Sequence, residues 1–147
     1  MAKASGKFKV LEDIALADIA FEAYGATLEE LFENAALATI SIIAEPSKIA
    51  LKVRKELVIS APEKEKLLFD FLSELVYLKD AESLIFGNVK CKISEDENGL
   101  KLNAVLKGER VTKGKKFIGH DVKAVTYHLF EVRQEKGKWK ARVILDI

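Results

Sequence analysis

Apolar and polar positions along the chain change period several times, and each change marks an element. The stretch TLEELFENAALATISIIA carries Leu28, Leu31, Phe32, Ala35, Thr39 and Ile43 at helical spacing. Thr27 followed by Glu30 makes a capping box, in which a hydroxyl and a carboxylate satisfy amide donors at a helix start. A second helix is predicted in SAPEKEKLLFDFLSELVYL. Pro62 suits its first turn, and Glu63 and Glu65 suit the positive end of its dipole. Leu67, Leu68, Phe71, Leu72 and Leu75 form one apolar face.

Elsewhere the period is two. DIAFEAY alternates before Gly25, and KIALKVRKELVIS alternates or runs apolar from Ile49 to Ile59. LIFGNVKCKISED and LKLNAVLKGE flank Glu97-Asn98-Gly99, whose Asn-Gly pair is a hairpin signal. AVTYHLFEVR and KWKARVILDI flank a second turn around Gly137. In the first of these strands alternation puts His128 on the face of Phe130 and opposite Tyr127, as a packed core histidine. Strands outnumber helices and come in antiparallel pairs. The fold class expected is α+β, with two helices packed on antiparallel or mixed sheet.

At 147 residues the chain is expected to form one domain, residues 1–147, with a substantial core. Lys and Arg total 24 against 23 Asp and Glu, so the surface as a whole is no electrostatic footprint for nucleic acid. The one local basic run is Lys113, Lys115 and Lys116, joined by Arg110. No aromatic side chains interleave with it for base stacking, so a solvated loop is favoured over an RNA site. A lone cysteine, Cys91, offers neither an intramolecular disulfide nor a CxxC motif. No signal peptide and no run of about 20 apolar residues is present, so a cytoplasmic protein without a membrane partner is expected.

Two places draw acidic residues together. Glu12, Asp13 and Asp18 surround the entry to an early strand, and Asp146 with the carboxylate of Ile147 closes the last one. Should the two strand ends meet, several carboxylates converge, and like charges that close repel unless a cation neutralises them. A hard divalent ion with oxygen ligands is the natural solution. The alternative is that Asp18 caps a turn and Asp146 sits in solvent, and spacing alone favours that alternative. No nucleophile elbow, phosphate-binding glycine loop or zinc-ligand spacing is present.

Four blocks in order resemble the archease family: ADIAFEAYGATLEELFENAALA, FLSELVYLKDAESLIFGNVK, VKAVTYH and the closing ILDI after a Gly-x-Trp hairpin. The resemblance implies a small α+β domain whose topology is similar to part of a redox-regulated chaperone. It implies a non-catalytic cofactor of the GTP-dependent RNA-splicing ligase that joins 3′-phosphate or 2′,3′-cyclic-phosphate ends in tRNA splicing or RNA repair. Such a cofactor promotes guanylylation and multiple turnover. The alternative is a chaperone or modulator of an RNA-modifying enzyme such as a tRNA methyltransferase. A metal-dependent hydrolase ranks last, because no positioned base accompanies the acids.

The resemblance also implies a divalent metal ion, calcium foremost, held by Asp18, Asp146 and Ile147. Asp13 stands as possible support for that site and Lys123 as a possible partner contact. No direct sequence-specific nucleic-acid binding is expected. The family reads His-Thr where this chain has Ala15 and Leu16, so groups that would orient the Asp18 carboxylate are missing.

Overall fold

A computed structural model describes residues 6–15, 17–111 and 119–147, with the side chains of all these except 12–15. The run Lys113, Lys115 and Lys116 therefore lies outside the described residues. In chain order the elements are β1 (Phe8–Ala15), β2 (Asp18–Gly25), α1 (Leu28–Ile43), a 3-10 turn (Pro46–Lys48), β3 (Val53–Ala61) and α2 (Lys64–Glu82). They continue with β4 (Leu84–Asp96), β5 (Gly99–Arg110), β6 (Ala124–Glu135) and β7 (Lys138–Asp146).

The strands form two antiparallel sheets, one in the order β1-β2-β7-β6 and one in the order β3-β5-β4. Among the described residues no strand of one sheet contacts a strand of the other, whereas each helix touches strands of both. The helices thus form a middle layer, and the fold is α+β as expected.

That layering explains the burial of α1. The sequence pattern gave it one apolar stripe, yet Ala36, Ala38, Ile40 and Ile42 are buried as well as Leu31, Phe32, Ala35 and Ile43. A helix apolar around most of its circumference is one enclosed on most sides. Of the polar members of the buried set, Asn34 donates to the Tyr24 carbonyl of β2 at 2.6 Å and the other two bond within the helix. Thr39 donates to the Ala35 carbonyl at 3.0 Å and Ser41 to the Ala38 carbonyl at 2.7 Å. Phe32 and Phe71 join the helices, with rings 6.2 Å apart and nearly parallel. All five leucines and phenylalanines assigned to the face of α2 are buried.

The helix starts follow their local chemistry. The Glu30 amide donates to Thr27 Oγ1 at 3.1 Å, and the Glu30 carboxylate accepts from the Ala26 amide at 3.3 Å. Pro62 falls one residue before the N-cap of α2, which is Glu63, rather than inside the first turn. α2 ends on Ser83 in the left-handed region, φ 56°, with its amide donating to carbonyls of the last turn. After the undescribed segment the chain returns against the end of α1, where the Gly119 and His120 amides donate to Ile43 and Ile42.

Two strand expectations change. β3 begins only at Val53: a 3-10 turn over Pro46–Lys48 ends just before the run read as extended from Ile49, and residues 49–52 are not part of the strand. β1 was not expected as a strand at all. It pairs with β2 from Phe8 to Leu11, then loses register before Ala15.

The third correction concerns β6. Its pairing with β7 steps from Thr126↔Ile144 to Glu131↔Arg142, so Tyr127–Phe130 bulge opposite Val143. Leu129 takes φ 53° within the bulge. The alternation therefore breaks there. Tyr127 and Phe130 both pack on Phe69, at 3.7 and 5.8 Å between ring centroids, and His128 is exposed rather than packed in the core.

Candidate functional site: a carboxylate pair at the end of a sheet

Asp18 opens β2 and Asp146 closes β7, and the register sets them directly opposite one another. The Ile147 amide donates to the Ala17 carbonyl at 2.9 Å, which makes Ala17–Ile147 the hydrogen-bonded pair and Asp18–Asp146 the neighbouring non-bonded one. Side chains approach most closely at such positions, with Cα atoms about 4.5 Å apart. Both aspartates are half-exposed and project from the face of this sheet that points away from the helices. The core-facing residues of the same strands, Ile19, Phe21, Val143 and Leu145, are buried. The two strand ends do meet.

Several charges elsewhere on that outer face are paired. Glu22 meets Lys140 at 3.1 Å and accepts from the Tyr24 hydroxyl at 3.2 Å. Partial burial works against the Glu22 carboxylate, but Lys140 and Tyr24 outweigh it and hold its pKa below the ordinary carboxylate value. The Tyr24 hydroxyl is pushed up by burial and by the negative Glu22 beside it. Arg142 meets Glu131 at 2.9 Å, and Arg133 spans Glu131 and Glu135. Among the described residues Asp18 and Asp146 have no basic partner. Like charges directly opposite on a sheet destabilise it.

The other candidates gather around this pair. Lys123 is exposed, and its amide donates to the Asp146 carbonyl at 2.8 Å, which fixes it beside the end of β7. It also borders a shallow cleft between the start of β6 and Ser73, Tyr77 and Asp80 of α2. Asp13 lies in the out-of-register part of β1, between Leu11 and Ala15, and Ala15 pairs with Asp18. The side chain of Asp13, and the whole of Leu16, lie outside the described residues. Ile147 packs against the core, so its main chain rather than its side chain is what it can offer at the tip.

Asp18, Asp146 and a main-chain oxygen could offer a cation only hard oxygen donors. No group of three His, Cys, Asp or Glu side chains forms a metal cluster among the described residues. The set suits a divalent ion that keeps part of its water shell, and it offers no soft ligand for zinc.

The sequence missed one buried charge near this end of the molecule. Lys79 of α2 reaches Asp121, just ahead of β6, at 2.6 Å and also holds Asp80. Its only sequence signal was a lysine in the last turn of a helix that otherwise buries apolar residues.

The geometry defines an α+β layered domain with an unneutralised acidic tip. The archease protein family matches residues 8–147 of the chain. The archease of Methanothermobacter thermautotrophicus is 40% identical over 131 residues, 89% of this chain and 93% of that one. That of Methanosarcina mazei is 38% identical over 142 residues, 96% of each. The solution structure of Methanobacterium thermoautotrophicum protein 1598 superposes with a TM-score of 0.86 at 38% identity, covering 97% of this chain and all of the other. An archease from Thermotoga maritima, described as a possible chaperone, gives 0.61 at 27% identity over 90% of this chain and 93% of that one. The chain belongs to the archease family.

No helix among the described residues is long and apolar enough to cross a membrane.

Proposed function

We propose that this protein is a non-catalytic cofactor of the GTP-dependent RNA-splicing ligase, acting in tRNA splicing or RNA repair through its acidic tip. Membership of the archease family supports the reading. The observation that carries it is the Asp18–Asp146 pair, two opposed carboxylates without a basic partner among the described residues, on a face where Glu22 and Glu131 are matched by Lys140 and Arg142. A domain has no folding reason to keep such a pair, so its use lies in what it meets.

Asp18, Asp146 and the main-chain oxygen of Ile147 would hold a divalent ion, with Asp13 as a further carboxylate from β1. Such an ion would supply fixed positive charge and relieve the repulsion of the pair. The chain's own residues present the tip on a rigid ladder and flank it with Lys123, a cation for a partner's acidic or phosphate group. Bond-making stays with the ligase, whose guanylylation the tip favours by ordering charge in the partner's active centre.

The test is guanylylation and multiple-turnover ligation by the cognate ligase. The arms are wild type, Asp18→Ala, Asp146→Ala and a one-residue addition after Ile147. Stimulation by wild type and its loss in all three folded variants is the expected result. Stimulation that survives both aspartate substitutions overturns the role of the tip.

A second reading, a chaperone or modulator of an RNA-modifying enzyme such as a tRNA methyltransferase, draws on one observation. Tyr77, Tyr127 and Leu129 each expose more than half their surface, at 58, 61 and 54%, on α2 and the adjacent β6. It predicts suppression of aggregation of unrelated proteins without any effect on the ligase.

A further inference from the structure

The outer face of the three-stranded sheet is the chemical opposite of the tip. The register aligns Asn88–Lys107–Arg54, Lys90–Val105–Glu56, Lys92–Asn103–Val58 and Ser94–Lys101–Ser60 in successive rows across β4, β5 and β3. Apart from half-buried Val105, every residue in these rows is exposed, while Val89, Cys91, Leu102, Ala104, Leu106 and Leu57 fill the inner face. Five basic side chains thus share one face.

Its acids leave most of that charge uncompensated. Glu56 is bound to Arg54 at 2.9 Å. Glu109, near the edge, accepts the Ala50 amide at 2.6 Å. Asp96 folds into the β4–β5 turn, taking the Asn98 amide at 2.8 Å, and with Glu95 and Glu97 marks where the basic patch stops. Lys90, Lys92, Lys101 and Lys107 have no ion-pair partner among the described residues. Rows on one face repeat about every 6.8 Å and neighbouring strands lie about 4.8 Å apart. The four ammonium groups therefore form a continuous zigzag, Lys107–Lys90–Lys92–Lys101, about 20 Å long.

We infer that this face binds the phosphate backbone of RNA, independently of sequence. Protein interfaces are depleted in lysine and anchored by aromatic residues and arginine. This face has four free lysines, no aromatic side chain, and an arginine already committed to Glu56. An acidic protein segment would find no anchor here, whereas a phosphate chain needs only spaced cations and the amide and hydroxyl donors of Asn88, Asn103, Ser60 and Ser94. The missing aromatics also exclude base stacking, which makes structured RNA the ligand rather than splayed single strands.

The inference deepens the ligase-partner reading and takes its biological meaning from it. The tip would face the enzyme while the far side of the helical layer holds the substrate.

The experiment is fluorescence anisotropy of a labelled RNA hairpin with the full chain, without ligase. Four phosphate contacts predict that affinity falls about 50- to 150-fold between about 50 and about 200 mM KCl. Lys90→Gln, Lys92→Gln, Lys101→Gln and Lys107→Gln together should weaken binding at low salt at least about 100-fold. The milder Lys92→Gln/Lys101→Gln pair should lower the log–log salt slope by about 1.5. Lys136→Gln/Lys138→Gln, at the β6–β7 turn, serves as a control for lysine loss elsewhere and should bind as wild type.

No salt-sensitive binding by wild type overturns the inference. So does wild-type affinity in the folded quadruple variant, or a loss that appears equally in the control. Displacement of the hairpin by polyglutamate as readily as by unlabelled RNA would mark an acidic-protein surface instead. Because ligase is absent, RNA binding and ligase activation fail separately.

Discussion

Lys79 Nζ lies 2.6 Å from Asp121 Oδ1, and this bond ties the last turns of α2 to the residues that lead into β6. The Lys79 side chain is 7% exposed, while Asp121 and Asp80 stand mostly in solvent. Removing Asp121 alone leaves Asp80 in place, so Asp121→Asn should cost about 1 kcal/mol in urea denaturation. Asp80→Asn/Asp121→Asn strands a buried ammonium and should cost about 3 kcal/mol.

The same lysine gives a pH signature. Burial disfavours its charge, but the hydrogen bonds and charges of Asp121 and Asp80 prevail and raise its pKa. A raised lysine pKa contributes stability in full below the unfolded value of about 10.4 and loses it as pH rises through the folded value. Wild type should therefore lose stability above about pH 10.5. Lys79→Met should lack that component in a pH series of denaturation midpoints.

Opposed carboxylates at Asp18 and Asp146 predict a crossover. In chelator, Asp146→Asn relieves repulsion and should raise stability by about 0.5 kcal/mol. With calcium at about 100 times its dissociation constant, wild type gains about 2.7 kcal/mol and the variant gains far less, so the order inverts. Thermal melts in the two conditions decide it. Equal response of both proteins to calcium would remove the pair from cation binding.

Gly25 ends β2 where the backbone of α1 passes close by. A Cβ built there would stand 2.4 Å from the Leu31 amide nitrogen and 2.8 Å from the Thr27 carbonyl oxygen. Gly25→Ala must move the helix start and should cost about 3 kcal/mol, with loss of the Asn34–Tyr24 bond that now measures 2.6 Å. At the β6 bulge the sign reverses. Leu129→Gly at φ 53° should stabilise by about 0.5–1 kcal/mol, because its exposed side chain contributes little and the left-handed conformation costs a non-glycine residue.

Cys91 should be silent. Burial pushes its thiol pKa up to about 12, and the negative charges of Glu33 and Glu29 add to that. Alkylation by iodoacetamide at neutral pH should wait for unfolding, so its rate reports opening of β4 from α1. Rapid labelling of the native protein would contradict the packing described.

What the sequence disclosed follows the range of the interactions. The start of α1 was legible because Thr27 and Glu30 act on amides within one turn. The β4–β5 hairpin was legible because Asn98 and Gly99 encode it locally. The β6 bulge was not, since alternation through Tyr127, His128 and Leu129 carries no sign of residues left opposite Val143. β1 stayed hidden because its pairing with β2 slips just where Glu12 and Asp13 interrupt the pattern. Asp18 and Asp146 were readable as residue types, but their apposition depends on the β2–β7 register between opposite ends of the chain. The lysine face was not legible either, although the β4–β5 turn was. β4 contributes Lys90 and Lys92 two residues apart and β5 contributes Lys101 and Lys107 six apart, and only the β4–β5 register collects them on one face.

Because the helices keep the two sheets from touching, the outward side chains of one sheet have no steric claim on those of the other. A lineage can recolour either surface, exchanging one partner for another, without asking the opposite side to repack. Such a scaffold can change its associates one at a time.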